Sequence, residues 1–386
     1  MKIAFDVESA LALQTGVGRF AREIIRGLAA IDRSHHYVLY HSSNYAAGSI
    51  HQLWDLPSNF EELTLSASRR SLRIWNLLGR LPFRVSRLLP DDLDLNYSPS
   101  HYLLPLNSRF AVGTVHDIGT IDRPQFTPFI PRVITRSDFR RMRRRANALV
   151  VVSEFTRGRV IDAWGIPGSR VRVVPNAFTS EFASYLNTDG QATDIPSEPY
   201  FIWIGAPSPR KNLDGLLAAF DRFTKDGQDD WKLVLAGPNT DTHAALANTV
   251  KKLGLSGRVE LRGFVDDRKL ANLVHRAAAL IYPSFYEGFG IPILEAMAVG
   301  TPVIASDASA IPEIAGDAAI LVNPNDRMAM AAAMKRIATD AATSRKLIAA
   351  GQERIKDYSW ESSARKLLEV FESVTENLQS ARLNDA

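Results

Sequence analysis

The chain has 386 residues, of which 46% are hydrophobic and 23% charged, and these values are typical of a globular protein with two domains. It contains no cysteine, which excludes disulfides, a thiolate nucleophile and cysteine-ligated zinc. The N-terminus lacks the apolar segment of a signal peptide and no run of about eighteen apolar residues occurs, so we expect a cytoplasmic protein without a spanning helix.

The net charge of +4 is unevenly distributed. Residues 1–178 hold 24 Lys and Arg against 15 Asp and Glu, whereas the remainder holds 22 against 27. A basic half favours an anionic partner such as nucleic acid, acidic lipid or a phosphorylated substrate, although solvated arginines would give the same excess.

The first half alternates short β-branched runs with helical patterns. The predicted strands are Lys2–Val7, Tyr37–Tyr40, Leu93–Tyr97, Ala111–Val115, Ala148–Val152 and Val171–Val174. The predicted helices are Gly18–Ala30, Pro131–Arg145 and Thr156–Trp164. Apolar strands separated by helices indicate a doubly wound α/β layer, in which helices cover both faces of a parallel sheet.

A Gly-x-Gly-x-x-Ala pattern begins at Gly16 and is similar to a dinucleotide-binding turn. That turn needs its glycines directly after a strand, but eight residues separate Val7 from Gly16. We therefore do not predict an oxidoreductase, and expect a flexible loop whose amides contribute to the floor of a ligand cleft.

Residues 69–89 carry an amphipathic pattern in the basic half. On a helical wheel, apolar residues share one face and arginines share an adjacent face. The apolar residues are Ile74, Leu77, Leu78, Leu81, Val85 and Leu88, and the arginines are Arg69, Arg73, Arg80, Arg84 and Arg87. This pattern predicts docking on an anionic membrane, and packing on the N-terminal sheet is the alternative. We interpret the later run Arg140–Arg145 as a solvated helix face.

His116 and Asp117 directly follow the predicted strand Ala111–Val115. Parallel α/β sheets place active-site groups at the carboxyl ends of their strands, so His116 is a candidate functional residue.

A polar stretch with Gly and Pro interrupts the pattern after residue 180, and the α/β alternation then restarts. The predicted strands are Tyr200–Ile204, Lys232–Ala236, Val259–Arg262, Ala279–Tyr282, Pro302–Ala305 and Ala319–Leu321. The predicted helices are Leu213–Phe223, Thr242–Leu253, Arg268–Ala277, Ile291–Val299, Ile311–Ala315 and Met328–Ala350. Two such units place a ligand in the cleft between them.

We predict an N-terminal domain at 1–180, a linker at 181–198 and a C-terminal domain at 199–357. The remaining segment, 358–386, has a helical pattern with one apolar face. It caps the second domain or, as we prefer, crosses back to the first.

The turn Gly205–Asn212 lies between a predicted strand and a predicted helix. Its backbone N–H groups and the cations Arg210 and Lys211 suit a diphosphate at a helix N-terminus, although such residues also start many helices.

The segment Pro283–Ala296 combines a Gly-rich turn with two carboxylates, Glu287 and Glu295. Glu295 lies inside an otherwise apolar helix, where a buried acid requires a partner such as the hydroxyls of a ribose. A surface Glu on the polar face of the helix is the alternative.

Together these segments resemble glycosyltransferase family 4, retaining enzymes of the GT-B fold, in which two Rossmann-like domains face a central cleft. The resemblance covers nearly the whole chain, and its most specific part is the Glu-x7-Glu signature, Glu287 to Glu295. The segments Thr15–Phe20, Val115–Asp117, Ser153–Thr156 and Pro175–Ala177 resemble a mannosyltransferase-type subgroup of bacterial surface polysaccharide pathways. One departure is Ala206, where many members carry an arginine.

The resemblance implies a role for each matched position. Lys211 would bind the donor diphosphate with help from Arg210, Glu295 would hold the ribose hydroxyls, and Glu287 would lie beside the transferred sugar. The backbone of Gly205, Gly288, Phe289, Gly290 and Ile291 would complete the donor site.

From the other domain, His116 would contact the sugar near the reaction centre and Gly16 would approach the donor. Positive charge and backbone amides would stabilise the departing diphosphate as an oxocarbenium-like centre develops. No Asp-x-Asp metal motif is needed for this chemistry, so we predict no metal cofactor. The acceptor would be a saccharide or a lipid-diphosphate-linked saccharide, and not a nucleic acid.

We therefore predict a hexosyltransferase that uses a nucleotide sugar, with GDP-mannose favoured, in surface polysaccharide (O-antigen) assembly at the cytoplasmic face of the inner membrane. One alternative is a nucleotide-sugar epimerase or hydrolase of similar fold, against which the Glu-Gly-Phe-Gly-Ile sequence argues. The other is a non-enzymatic two-domain sugar-binding protein, a class that is normally exported.

Overall fold

The computed structural model describes residues 1–11, 15–45, 50, 54–78, 89–187, 195–228, 230–238 and 243–384. It divides the chain into two compact units. The first comprises Met1–Asn176 and Trp360–Ala386, and the second comprises Ala177–Ser359. The division falls after Asn176, slightly before the predicted boundary at residue 180.

The described part of the first unit contains a parallel seven-stranded sheet with the order β3-β2-β1-β4-β5-β6-β7. Its strands are β1 (Lys2–Asp6), β2 (His36–Ser42), β3 (Phe60–Leu65), β4 (Leu95–Ser98), β5 (Phe110–Val115), β6 (Ala148–Val151) and β7 (Val171–Val173). Its helices are α1 (Glu8–Leu11), α2 (Gly16–Ile31), α3 (Arg69–Leu78), α4 (Gly119–Asp122), α5 (Phe129–Arg145) and α6 (Glu154–Trp164).

The edge strand β3 was not predicted from the sequence. Glu61 and Glu62 stand beside each other in it and break the apolar run that marks the other strands. An edge strand has only one strand neighbour, here β2, so it tolerates these acids better than a central strand would.

The expectation of a flexible loop at Gly16 is wrong. Gly16 is the first residue of α2, and the hydroxyl of Thr15 accepts a hydrogen bond from the N–H of Gly18 at 3.0 Å. Thr15 is therefore a regular N-cap, which satisfies one of the N–H groups at the start of the helix.

The amphipathic segment 69–89 is described only as far as α3, and residues 79–88 lie outside the described residues. Within α3, Leu72 and Trp75 pack into the core of the first unit, whereas Ile74 and Leu78 are exposed. One face of α3 thus packs on the domain and another contacts solvent.

The C-terminal helix α15 (Trp360–Asn384) belongs to the first unit and packs along α2. Its apolar face buries Leu367 and Phe371, and the Phe371 ring lies 5.1 Å from that of Tyr97. The approach of the two helices is close at Gly27, where an added Cβ would lie 2.8 Å from the Cβ of Ala364.

The second unit contains a parallel six-stranded sheet in its described residues, with the order β10-β9-β8-β11-β12-β13. Its strands are β8 (Tyr200–Ile204), β9 (Lys232–Ala236), β10 (Val259–Gly263), β11 (Ala279–Tyr282), β12 (Val303–Ser306) and β13 (Ile320–Val322). Its helices are α7 (Ser180–Ser184), α8 (Leu213–Lys225), α9 (His243–Lys252), α10 (Asp267–Arg276), α11 (Ile291–Ala298), α12 (Ile311–Ala315), α13 (Arg327–Thr339) and α14 (Ala341–Arg354).

Two sequence expectations for this unit need correction. The single helix predicted at Met328–Ala350 is two helices, because the carboxylate of Asp340 accepts the N–H groups of Ala342 and Thr343 and so caps a new helix. Within the segment predicted as a linker, α7 is helical and packs against α10 and α11.

None of the helices in the described residues combines the length and the apolar character that a membrane span requires.

Candidate functional site

The loop after β8 starts with an unusually close approach of two backbones. Gly205 has a φ of +147° and donates its N–H to the carbonyl of Ala236 at 3.0 Å. A Cβ on Gly237 would lie 1.7 Å from the carbonyl oxygen of Gly205. Only glycine is accommodated at residue 237, and this contact fixes the start of the loop that carries Arg210 and Lys211.

Asn212 holds the end of the same loop. It adopts a left-handed conformation with a φ of +58° and is buried. Its side-chain amide donates to the carbonyls of Pro283, at 3.1 Å, and Pro324, at 2.7 Å. Asn212 therefore ties the loop after β8 to the loops after β11 and β13.

Arg210, Lys211 and Glu287 meet in one buried ion-pair cluster. The Lys211 ammonium lies 2.7 Å from one carboxylate oxygen of Glu287, and the Arg210 guanidinium lies 2.6 Å from the other. Lys211 also donates to the hydroxyl of Tyr282 at 2.9 Å. The Arg210 side chain is 28% exposed and that of Lys211 is 11% exposed, so Arg210 is the more accessible cation.

The charges of this cluster stabilise each other. Burial by itself would raise the pKa of Glu287, but the attraction of Lys211 and Arg210 outweighs burial and lowers this pKa to about 2. Burial would lower the pKa of Lys211, but the carboxylate of Glu287 reverses that effect and raises it. All three groups are ionised at neutral pH, and together they carry one net positive charge.

The backbone of Glu287 is held by Ser309, 22 residues later in the chain. The N–H of Glu287 donates to the Ser309 hydroxyl at 2.8 Å, and that hydroxyl donates to the carbonyl of Ala308 at 2.6 Å. Ser309 has a φ of +57°, which is uncommon for a residue with a Cβ. Sequence analysis missed Ser309 and Tyr282 as parts of the site, since only the fold brings them to it. It included Asn212 at the end of the turn but gave this residue no role.

The turn after Glu287 leads into α11. Gly290 has a φ of +118° and Pro292 lies in the first turn of the helix. Gly288, Phe289 and Gly290 are buried, and the Phe289 ring contacts that of Tyr358 edge-on at 5.6 Å. The N-terminus of α11, with its partial positive charge, thus begins directly after the ion-pair cluster.

Glu295 lies within α11 and is only 2% exposed. The interpretation of Glu295 as a surface residue is therefore wrong. Both acids of the Glu-x7-Glu pair are buried in the second unit, one before α11 and the other inside it.

His116 and Gly16 belong to the first unit. The Nε2 of His116 lies 2.8 Å from the carbonyl of Pro99, and the ring contacts Phe20 edge-on at 5.0 Å. Burial lowers the pKa of His116, so the imidazole is neutral at pH 7. Because a carbonyl only accepts hydrogen bonds, Nε2 carries the proton and Nδ1 is an acceptor.

Gly16 is exposed at the N-terminus of α2, and an added Cβ there would contact nothing within 4 Å. Within the described part of the chain, no group of three or more His, Asp or Glu side chains is arranged to hold a metal ion. The prediction that no metal is required remains untested.

Two family models match the chain. Residues 14–182 match the family described as Glycosyltransferase Family 4, and residues 188–354 match the family described as Glycosyl transferases group 1. Together the two matches cover most of both units.

Two of the similar curated proteins are bacterial O-antigen chain mannosyltransferases. The O-antigen chain mannosyltransferase B of Escherichia coli is 28% identical over 379 residues, covering 96% of this chain and 99% of that protein. The O-antigen chain mannosyltransferase RfbU of Salmonella typhimurium is 31% identical over 240 residues, covering 62% of this chain and 63% of that protein.

Solved structures share the fold. WaaG, a glycosyltransferase involved in lipopolysaccharide biosynthesis, aligns with a TM-score of 0.73 at 15% identity, covering 96% of this chain and 99% of WaaG. Anabaena Alr3699/HepE in complex with UDP and glucose aligns with a TM-score of 0.73 at 19% identity, covering 97% of this chain and 100% of that one.

Proposed function

This chain belongs to glycosyltransferase family 4, and from that membership we propose that it transfers mannose from GDP-mannose to a saccharide acceptor during assembly of a bacterial surface polysaccharide. That the chain is a hexosyltransferase of GT-B fold follows from the family models and the named relatives. The finer choice of mannose and of an O-antigen-type product is supported by two relatives that are named O-antigen chain mannosyltransferases.

The observation that carries the proposal is the buried cluster of Arg210, Lys211 and Glu287. A diphosphate is a dianion or trianion, and the cluster offers it net positive charge that needs no reorganisation, because Glu287 already fixes both cations. Arg210, the more exposed cation, is the first contact for the incoming phosphates. Lys211, held by Glu287 and Tyr282, stabilises the charge that develops on the leaving diphosphate.

The turn from Gly288 to Ile291 supplies the remaining donor contacts in this proposal. Its backbone amides precede the positive end of α11, where a phosphate or sugar oxygen is favoured. Gly205 begins the loop that carries Arg210 and Lys211, and the absence of a Cβ at Gly237 leaves room for it. The buried carboxylate of Glu295 accepts hydrogen bonds from the ribose hydroxyls.

Glu287 acts through its charge in this mechanism. A carboxylate with a pKa of about 2 is a weak base, and both of its oxygens are occupied by cations. It therefore suits neither a general base nor a covalent nucleophile. Transfer with retention, in which the leaving phosphate accepts the acceptor proton, is the mechanism that family membership implies.

We assign His116 and Gly16 of the first unit to the transferred sugar and the donor. As a neutral imidazole whose Nε2 donates to Pro99, His116 presents Nδ1 as an acceptor for a sugar hydroxyl. The N-terminus of α2 offers the amide of Gly16 to a donor oxygen.

The proposed acceptor is a saccharide carried on a lipid diphosphate at the cytoplasmic face of the membrane. The exposed Ile74 and Leu78 of α3, beside Arg69 and Arg73, support a peripheral contact with an anionic bilayer.

A panel of nucleoside diphosphates and their sugars tests the donor assignment. GDP and GDP-mannose should raise the melting temperature more than the UDP and ADP counterparts, because a ligand that binds only the folded state stabilises it.

Glu295→Ala should weaken GDP binding by about tenfold or more, because the ribose hydroxyls would lose their acceptor. Glu353→Ala, which alters an exposed residue, should not change GDP binding and is the control. Equal GDP affinity in wild type and Glu295→Ala contradicts the ribose role.

Analysis of the reaction products distinguishes a glycosyltransferase from a nucleotide-sugar hydrolase or epimerase. Release of free mannose at the same rate with and without a saccharide acceptor indicates a hydrolase, and a changed sugar still attached to its nucleotide indicates an epimerase. Acceptor-dependent formation of a glycoside supports the transferase.

A further inference from the structure

Tyr282 is the last residue of β11, a central strand of the second sheet, and its side chain reaches the ion-pair cluster. Tyr282 is only 2% exposed. A Cβ added to Gly290 would lie 3.7 Å from Cε1 of its ring, so the ring also lies against the turn that leads into α11. The hydroxyl accepts a hydrogen bond from the Lys211 ammonium at 2.9 Å. A residue of the sheet core thus contacts a cation of the candidate site.

The ammonium of Lys211 has one N–H donor more than the protein uses. An ammonium group carries three N–H donors in a tetrahedral arrangement. In the described part of the chain, one of them bonds to the carboxylate of Glu287 at 2.7 Å and another to the hydroxyl of Tyr282 at 2.9 Å. Two fixed bonds leave a single direction for the third N–H, which is available to an oxygen of a ligand.

The hydroxyl of Tyr282 contributes orientation and no charge. Burial raises the pKa of this phenol, and the negative charge of Glu287 raises it further, so the hydroxyl stays protonated at neutral pH. The net charge of the ion-pair cluster is therefore the same with or without the hydroxyl. Its removal would change only the direction of the Lys211 N–H groups.

We propose that Tyr282 is a positioning residue for the transfer reaction, whose hydroxyl directs the third N–H of Lys211 towards the departing diphosphate. When the bond between sugar and phosphate breaks, the terminal phosphate gains negative charge, and a donor already aimed at it stabilises the transition state more than the bound substrate. Tyr282 acts through Lys211 and does not itself contact the donor. This inference rests on the proposed function, because it takes the ion-pair cluster as the diphosphate site.

A purely structural role of the same hydroxyl predicts a different result. If the hydroxyl only satisfies a buried ammonium, its loss lowers stability and leaves turnover unchanged. Tyr200 provides the matched control, because it begins β8 of the same sheet, is also 2% exposed and donates its hydroxyl to the carbonyl of Leu273 at 2.7 Å. Tyr200→Phe removes a buried hydroxyl without removing a contact of the cluster.

Steady-state kinetics of Tyr282→Phe test the positioning role. The value of kcat should fall by about tenfold, whereas KM for the donor should change by less than about threefold, because the lost interaction belongs mainly to the transition state. Tyr200→Phe should keep kcat within about twofold of wild type even where its melting temperature is lowered as much.

Calorimetric titration with inorganic pyrophosphate tests the same contact without a sugar or a nucleobase. Pyrophosphate resembles the leaving group in charge, so Tyr282→Phe should weaken its binding by about five- to tenfold. In a Lys211→Met background the further change Tyr282→Phe should have no effect, since the hydroxyl then has no ammonium to orient. Tyr200→Phe should bind pyrophosphate as wild type does.

Two results would overturn the proposal. The first is equal kcat and equal pyrophosphate affinity in wild type and Tyr282→Phe. The second is a loss of affinity that is just as large in the Lys211→Met background, which would mean that the hydroxyl acts through packing and not through Lys211. If Lys211→Met does not fold, as judged by its melting temperature, the comparison of Tyr282→Phe with Tyr200→Phe decides alone.

The pyrophosphate titrations also separate this inference from the proposed function. Wild-type protein that transfers no mannose from GDP-mannose contradicts the proposed function, whatever the titrations give. Unchanged pyrophosphate affinity in Tyr282→Phe contradicts the role of Tyr282, whatever sugar the wild type transfers.

Discussion

Glu287 lies at the centre of the candidate site, between the cations Arg210 and Lys211. It is buried, which by itself disfavours its charge, and yet Arg210 and Lys211 hold it ionised. Such a cluster contributes little net stability, but removal of one member leaves uncompensated charge in a buried position. In the mechanism that we propose, Glu287 therefore fixes the orientation of the two cations before a diphosphate arrives.

Glu287→Gln should lower kcat by about 100-fold or more, because the amide has no charge with which to orient Arg210 and Lys211. Donor affinity should change much less, since both cations remain. Steady-state kinetics and calorimetric titration with the donor measure the two effects. Glu353→Gln, which alters an exposed ion pair in the same unit, is the control. Unaltered turnover in Glu287→Gln argues against this role.

A second buried acid, Asp6 at the end of β1, has the opposite electrostatic environment. Burial and the nearby charge of Glu8 raise its pKa from 3.8 to about 7. The folded state therefore binds more protons than the unfolded state between these two values, and stability falls as the pH rises through 7.

Asp6→Asn should remove the loss of stability at high pH, because an amide does not ionise. At pH 8 the variant should exceed wild type in unfolding free energy by about 1 to 4 kcal/mol, and the difference should be smaller at pH 5. Urea unfolding at the two pH values measures it. If the difference in unfolding free energy between Asp6→Asn and wild type is the same at pH 5 and pH 8, Asp6 is not the titrating group.

At the scale of elements, the packing of α2 against α15 depends on one small residue. An added Cβ at Gly27 would lie 2.8 Å from the Cβ of Ala364 and 3.1 Å from the carbonyl oxygen of Trp360. The second of these contacts is with backbone, which does not move aside as a flexible side chain would. Gly27 therefore sets the distance between the two helices.

Gly27→Ala should destabilise the protein by about 1 to 3 kcal/mol, because the overlap outweighs the better helix propensity of alanine. Gly158 of α6 is the matched control, since an added Cβ there contacts nothing within 4 Å. Gly158→Ala should be neutral or stabilise by up to about 1 kcal/mol. Thermal unfolding of both variants measures these changes in stability. Equal melting temperatures would mean that α2 and α15 can move apart without a loss of stability.

At the scale of the whole molecule, the first unit is built from both ends of the chain. Residues 1–176 form its sheet, and α15 returns after the second unit to complete it. Trp360 contacts Phe20, Phe371 contacts Tyr97, and the Ser363 hydroxyl donates to the carbonyl of Pro175 at 2.8 Å. The second unit is continuous in sequence and does not use α15 for its core.

A chain that ends at Ser359 should lose protection from hydrogen exchange in the first unit, while the second unit should keep the nucleotide binding that we propose for it. Loss of α15 exposes apolar surface around Phe20 and Tyr97, so hydrogen exchange in β4 and β5 should accelerate. A chain that ends at Glu376 retains every residue of α15 that the structure describes as buried, and it serves as the control. Slow exchange in β4 and β5 of the shorter chain would show that α15 is dispensable.

The sequence by itself determined the α/β class, the two parallel sheets and the loops that carry Lys211, Glu287 and Glu295. These features follow from local patterns, because buried strands are continuous apolar runs and helix starts are marked by proline and glycine. The polar edge strand β3 and the helix break at Asp340 were missed, since each departs from the simple periodicity of its type.

Only the tertiary structure decided which distant groups meet. Asn212 bonds to Pro324, and Ser309 bonds to Glu287, across separations that no local pattern encodes. Likewise Phe129, Ile130, Val133 and Ile134 are residue types that usually lie in a core, and only the fold shows that they face solvent. Burial is a property of the neighbours that a segment acquires, and those neighbours are set by the folding of the whole domain.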